Sequence, residues 1–176
     1  MAIRKLQHAR SIRKWGIYGR YMSGKSSFVA CMRQPILLFD FDHRFEEVSR
    51  VYGIDVYKAG NSDDSMTPLE LYEWTQDNRL DIRNLGIGTV VVDSITPYIK
   101  QQNAAAMEAN KAGRNKNKMS AFVHKSNAMT LLQDTIISLG VDVAFLWHLE
   151  QHRNDRGDVQ VDQKGAANPG LQAGEG

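Results

Sequence analysis

Gly19-Arg20-Tyr21-Met22-Ser23-Gly24-Lys25-Ser26 decides how the rest of this chain is read. The stretch fits G-x-x-x-x-G-K-[ST] at every position, a pattern whose chance occurrence in a chain of this length is on the order of one per cent at average residue frequencies. The chemistry requires these residue types. Gly19 and Gly24 let backbone N–H groups turn inward around phosphate oxygens with no side chain in the way. Lys25 reaches the β- and γ-phosphates, and the hydroxyl of Ser26 can ligate magnesium. The start of the following helix adds a partial positive charge. The run from Gly19 to Ser27, including Arg20, Tyr21, Met22 and Ser23, is therefore the expected binding surface for ATP with Mg2+.

Outward from this loop the apolar pattern alternates between short strands and longer helices. Trp15–Tyr18 reads as a strand before the loop, and Lys25–Arg33 as a helix after it, stopped by Pro35. Ile36–Phe41 is a nearly continuous apolar run broken by Asp40, the pattern of a strand buried on both faces. A helix over Phe45–Tyr52 and a strand near Ile54–Tyr57 follow. Thr67-Pro68-Leu69-Glu70 is a capping-box signature with proline at the first helical position, opening a helix to about Arg79. Gly88–Asp93 is the clearest buried strand. A helix from Thr96-Pro97, an amphipathic helix over Ser120–Leu139 and a strand over Val141–Trp147 complete the series. Such alternation predicts an α/β fold, with a mainly parallel sheet covered by helices on both faces. Beyond Leu149 the chain is polar and reads as a loop, a weak hairpin around Asp155-Arg156-Gly157, or disorder. The expected organisation is a basic segment over 1–14, a core over 15–150 and a polar tail over 151–176.

Three strand ends carry further chemistry. Asp93 closes the apolar run Val90-Val91-Val92, 68 residues after Lys25. An acid there holds magnesium in phosphate-binding-loop proteins, or caps the next helix. Asp40 and Asp42 lie two apart and in an extended chain point the same way. Either they are solvated strand-end acids, or one of them polarises the water that attacks the γ-phosphate. His148, after Trp147, falls at the carboxyl edge of the sheet, where open α/β sheets bind ligands. It either reports on the γ-phosphate or is a histidine satisfied by its surroundings. No zinc site is indicated, since Cys31 is the only cysteine and reads as a small buried residue on a helix.

At 176 residues, with 42% hydrophobic and 24% charged residues, the chain is one ordinary globular domain. There is no apolar run long enough to span a membrane and no apolar signal region in the basic N-terminus, so a cytoplasmic protein is expected. The net charge of +2 conceals segregation. Residues 1–25 hold seven Lys/Arg and no acid, residues 40–81 eleven acids against four Lys/Arg, and residues 100–125 six Lys/Arg and one acid. The basic stretches are either solvated faces or contacts for an anionic partner such as nucleic acid.

The segments GRYMSGKS, ILLFDFDHRF, VVVDSITP and TLLQDTIISLGVDVAFLWH, in this order and spacing, resemble the RecA-type recombinase ATPases, above all the compact phage versions that include single-strand annealing proteins. The resemblance spans roughly Trp15 to Glu150. It implies a RecA-like core in which Lys25 and Ser26 bind phosphate and magnesium and Asp93 is the Walker B acid. It places Asp42 where the family has a water-activating Glu, one methylene longer, so slow or conditional hydrolysis is implied. It places His148 where bacterial recombinases have a γ-phosphate-sensing Gln, which alters the pH response of that position. By the same likeness, Lys111, Arg114, Lys116 and Lys118 in one tract, and Arg153 and Arg156 in another, correspond to DNA-facing loops.

The expected function is ATP-dependent DNA recombination or annealing by a ring or filament of identical subunits on single-stranded DNA, with mainly electrostatic, salt-sensitive affinity. A P-loop small-molecule kinase, with Arg153 and Arg156 in a lid, and a non-hydrolysing nucleotide-switched adaptor are the alternatives.

Overall fold

The runs Ile36–Asp40, Thr89–Asp93 and Asp142–His148 are buried on both sides, and the period of two in a strand assigns successive residues to opposite layers. A computed structural model describes residues 11–60, 67–111, 118–153 and 159–162. Five strands form one sheet: β1 (Lys14–Gly19), β2 (Ile36–Asp40), β3 (Val56–Lys58), β4 (Thr89–Asp93) and β5 (Asp142–His148). Their spatial order is β1-β5-β4-β2-β3, and every pairing is parallel.

Leu37, Phe39, Val90, Val92, Val143, Phe145 and Trp147 face one side. There they meet Leu71 of α3 (Pro68–Asp77), Ile82 of α4 (Arg79–Asn84), Tyr98 of α5 (Ile95–Lys111), and Leu132 and Ile136 of α6 (Lys118–Ile137). The residues between them, Ile36, Leu38, Val91, Ala144 and Leu146, face the other side and pack under Val29 of α1 (Lys25–Val29) and Phe45 of α2 (Phe45–Tyr52). Each such Leu or Ile side chain removed from water contributes about 2 kcal/mol. The expected parallel sheet with helices on both faces is the fold observed. Among the described residues no helix is long and apolar enough to cross a membrane.

Several boundaries differ from expectation. α1 does not run to Arg33. After Val29 the amides of Ala30, Cys31 and Met32 donate to the carbonyls three residues back, at 3.2, 3.1 and 2.9 Å, and this tightened turn redirects the chain into β2. Cys31 consequently lies past the helix and is exposed, not buried upon it. The helix opened by Thr67 ends at Asp77, and a separate α4 follows Asn78. The capping box itself is present: Thr67 Oγ1 accepts from the Glu70 amide at 3.2 Å, and the Thr67 amide donates to Glu70 Oε2 at 2.7 Å. Past β5, β6 (Glu150–Arg153) and β7 (Val159–Asp162) pair antiparallel, while Asp155, Arg156 and Gly157, where the turn was expected, lie outside the described residues.

The order of the strands positions the site. β5 lies between β1, which feeds the glycine loop, and β4, which ends in Asp93. The carboxyl ends of three adjacent strands therefore deliver Gly19, His148 and Asp93 to one edge of the sheet.

Candidate functional site

At that edge the loop closes on itself around Lys25. Gly24 adopts φ 80°, a left-handed conformation that costs other residues roughly 1–2 kcal/mol. Gly19 is needed for space: a β-carbon there would collide with Ser23 Oγ and press on the Lys25 stem at 3.4 Å. Met22 also has positive φ, at 59°, and projects fully into solvent. The buried Lys25 ammonium donates to the carbonyls of Gly19 at 3.1 Å and Arg20 at 2.8 Å, which hold it at the centre of the loop. Burial lowers the Lys25 pKa, opposed by the charges of Asp93 and Asp42. Because α1 is five residues long, the positive character here comes from Lys25 and the loop amides more than from an extended helix dipole.

Ser26, the next residue, donates its hydroxyl to Asp93 Oδ2 at 2.7 Å. The loop and the β4 acid, 67 residues apart, are thus in contact. Asp93 is 4% exposed, and its pKa is raised from 3.8 to about 6. Burial is the main cause, with Asp40 and Asp42 adding to it and the Ser26 hydrogen bond and Lys25 opposing it.

Asp40 and Asp42 do not share a role. β2 ends at Asp40, whose carboxylate accepts from the amides of Arg44 and Phe45, both at 3.4 Å, and lies 3.8 Å from Lys58 Nζ. It serves the start of α2. The chain then turns, and the Asp42 amide donates to the Asp93 carbonyl at 3.2 Å, which anchors Asp42 beside the site. Asp42 Oδ2 lies 3.0 Å from His148 Nε2. His148 is buried, with its backbone amide donating to Thr96 Oγ1 at 3.0 Å. Its pKa is lowered, first by burial and then by Lys25, while Asp42 acts in the opposite sense.

The structure thus brings Lys25, Ser26, Asp42, Asp93 and His148 together. Sequence reasoning missed the direct Asp42–His148 contact, the anchoring by Thr96 and the stacking of Tyr21 on the His148 ring, with centroids 4.0 Å apart. These pairs are 106, 52 and 127 residues apart, and no local pattern records them. For the basic tracts, Lys111 closes α5, Lys118 opens α6 and Arg153 lies in β6, while Arg114, Lys116 and Arg156 fall outside the described residues.

A protein-family model described as an AAA domain matches residues 12–173. The chain belongs to the AAA domain family. A comparison with curated proteins gives no significant match. For this AAA domain the parallel sheet and glycine loop constitute an α/β P-loop NTPase core, and the family consists generally of ATPases.

The residues also suit the magnesium that accompanies nucleotide in such cores. Ser26 Oγ and Asp93 Oδ2 are adjacent hard oxygen donors, and Mg2+ is commonly held by one or two carboxylates with phosphate and water completing its shell. Among the described residues no cluster of three or more His, Cys, Asp or Glu side chains offers an all-protein cage. Ser26 and Asp93 are the residues that would hold such an ion.

Proposed function

We propose that this AAA domain hydrolyses ATP and couples the reaction to single-stranded DNA, as a RecA-like recombination or annealing ATPase of the phage type that works as a ring or filament. The observation that carries the ATPase reading is the Ser26–Asp93 contact beside Lys25, with the Asp42–His148 pair at the same sheet edge. Phosphate oxygens, being charged, are stronger acceptors than the carbonyls of Gly19 and Arg20, so Lys25 exchanges these for the β- and γ-phosphates. The loop amides from Gly19 to Ser27 bind the remaining oxygens. When bound, Mg2+ supplies charge neutralisation at the phosphates; Ser26 and Asp93 would hold it. Asp42 orients the attacking water and draws its proton, and its short side chain makes this a slow step without a partner.

The DNA reading is supported by placement. Lys111 and Lys118 border the connection between two helices that pack together, and Arg153 lies on the hairpin that directly follows β5. Phosphate contacts there would make binding fall steeply with salt.

Phosphate release with and without single-stranded DNA, followed by size analysis of the same mixtures, tests the proposal. DNA-stimulated hydrolysis with growth into rings or filaments is expected. DNA-independent transfer of phosphate to a metabolite would replace this reading with the kinase, and tight ATP binding without turnover would replace it with the adaptor. Lys25→Ala is expected to lose ATP binding, and retained tight binding would remove the site assignment.

A further inference from the structure

The imidazole of His148 has two nitrogens in very different surroundings. Nε2 is 3.0 Å from Asp42 Oδ2. Nδ1 is fully buried and has no hydrogen-bond partner among the described residues. Three protonation states are available, and this geometry separates them. A proton on both nitrogens would bury an unsatisfied N–H donor at Nδ1, which costs roughly 1–3 kcal/mol or more for a charged ring. A proton on Nδ1 alone would bury the same donor and also turn the Nε2 lone pair toward a carboxylate oxygen. A proton on Nε2 alone pairs the donor with Asp42 and leaves only an acceptor lone pair at Nδ1, the least costly group to bury unpaired. The charged groups facing the ring are Lys25 and Arg44, which disfavour a second proton, and Asp42, which favours one. Burial disfavours it further.

The ring is held in this orientation from several sides. The backbone of His148 is fixed by Thr96 Oγ1. The next amide, that of Leu149, donates to the Gly19 carbonyl at 3.0 Å, which ties the end of β5 to the glycine loop. The flat face of the imidazole is covered by Tyr21, with the planes 10° apart, and the Arg44 guanidinium lies 5.8 Å from the centroid of the Tyr21 ring. Tyr21 comes from the glycine loop, at a position where the loop motif accepts any residue.

We propose that His148 is a neutral Nε2–H donor whose task is to hold the Asp42 carboxylate in place, and that Tyr21 is the positioning residue that holds His148. This rests on the ATPase reading above for its catalytic consequence, but not for its proton assignment. Asp42 keeps Oδ1 for water while Oδ2 is fixed by the histidine. The shorter acid is thereby compensated by a rigid support, and His148 does not act as a proton acceptor, because its bare nitrogen is sealed from solvent. The position retains the donor function of a glutamine amide instead of gaining an acid-sensitive switch near neutral pH.

The decisive measurement is long-range 1H–15N NMR of the full 15N-labelled chain without nucleotide at pH 7, with the His148 signal identified by its loss in His148→Gln. A protonated Nε2 and a bare Nδ1 are expected, persisting below pH 6.5. A proton on Nδ1, alone or with Nε2, overturns the proposal while leaving the ATPase reading intact. In turnover assays Tyr21→Ala is expected to lower kcat about 10-fold with KM for ATP within about 3-fold. Tyr21→Phe, which keeps the stacking ring, and His148→Gln, which keeps an N–H donor, should recover most of the rate lost in Tyr21→Ala and His148→Ala. A change confined to KM, or no recovery by either conservative variant, refutes the positioning role. Absence of any turnover by the unaltered chain defeats the ATPase reading, and the NMR result then still decides the proton assignment.

Discussion

Asp93→Asn is expected to stabilise the fold at neutral pH while removing the proposed metal ligand. Asp93 is 4% exposed, and its pKa is raised from 3.8 to about 6, mainly by burial. At ~1.4 kcal/mol per unit, ionising it in the folded state costs about 3 kcal/mol more than in the unfolded chain. The sign follows from linkage. Well below pH 3.8 the carboxyl is neutral in both states and the cost is absent; it is still small near pH 4, develops as pH rises to about 6 and is complete above that. Asparagine carries no charge and retains an oxygen able to accept from Ser26. The variant should therefore be about 1–3 kcal/mol more stable at pH 7.5, allowing for an imperfect fit of the amide, and close to the unaltered protein at pH 4. Urea denaturation in EDTA without nucleotide, followed by far-ultraviolet circular dichroism at both pH values, measures the difference, and other titrating groups cancel between the two proteins. Equal or lower stability of the variant at pH 7.5, or a gain of the same size at pH 4, would refute the claim that a desolvated carboxylate is held at this position. A confirmed gain alongside lost Mg2+-dependent nucleotide binding would mark a site maintained against the fold's own preference.

Other consequences follow from packing and local geometry. Leu132 is fully buried between α6 and the sheet, so Leu132→Ala should cost about 2–5 kcal/mol in the same denaturation assay. Thr67→Ala removes one half of the capping box on α3 and should cost about 1 kcal/mol with no effect on nucleotide affinity. Gly24→Ala places a β-carbon in open space but at φ 80°, so it should destabilise by roughly 1–2 kcal/mol through backbone strain alone and weaken ATP binding, as read by nucleotide titration. Tyr98 Oη is buried without a hydrogen-bond partner among the described residues, so Tyr98→Phe should be neutral or stabilising by about 1 kcal/mol.

The glycine loop, the strand ending in Asp93 and the capping box at Thr67 were legible in the sequence because each is a local code. A phosphate nest needs glycine at fixed spacing, a strand buried on both faces needs an unbroken apolar run, and a capping box needs Thr and Glu three apart. The apolar runs also determined that helices must cover both faces of the sheet. Where α1 stops was not legible, since the turn after Val29 answers to the start of β2 and not to the composition of residues 30–33. The divergence of Asp40 and Asp42 was equally hidden: their two-residue spacing implies a common direction only while the strand lasts, and β2 ends at Asp40. Above all, the insertion of β5 between β1 and β4 belongs to the tertiary structure. Strand order is set by which faces and helices pack, and no short-range pattern encodes it. That order alone brings His148 against Asp42 and under Tyr21, turning three separate strand-end and loop residues into one supported carboxylate.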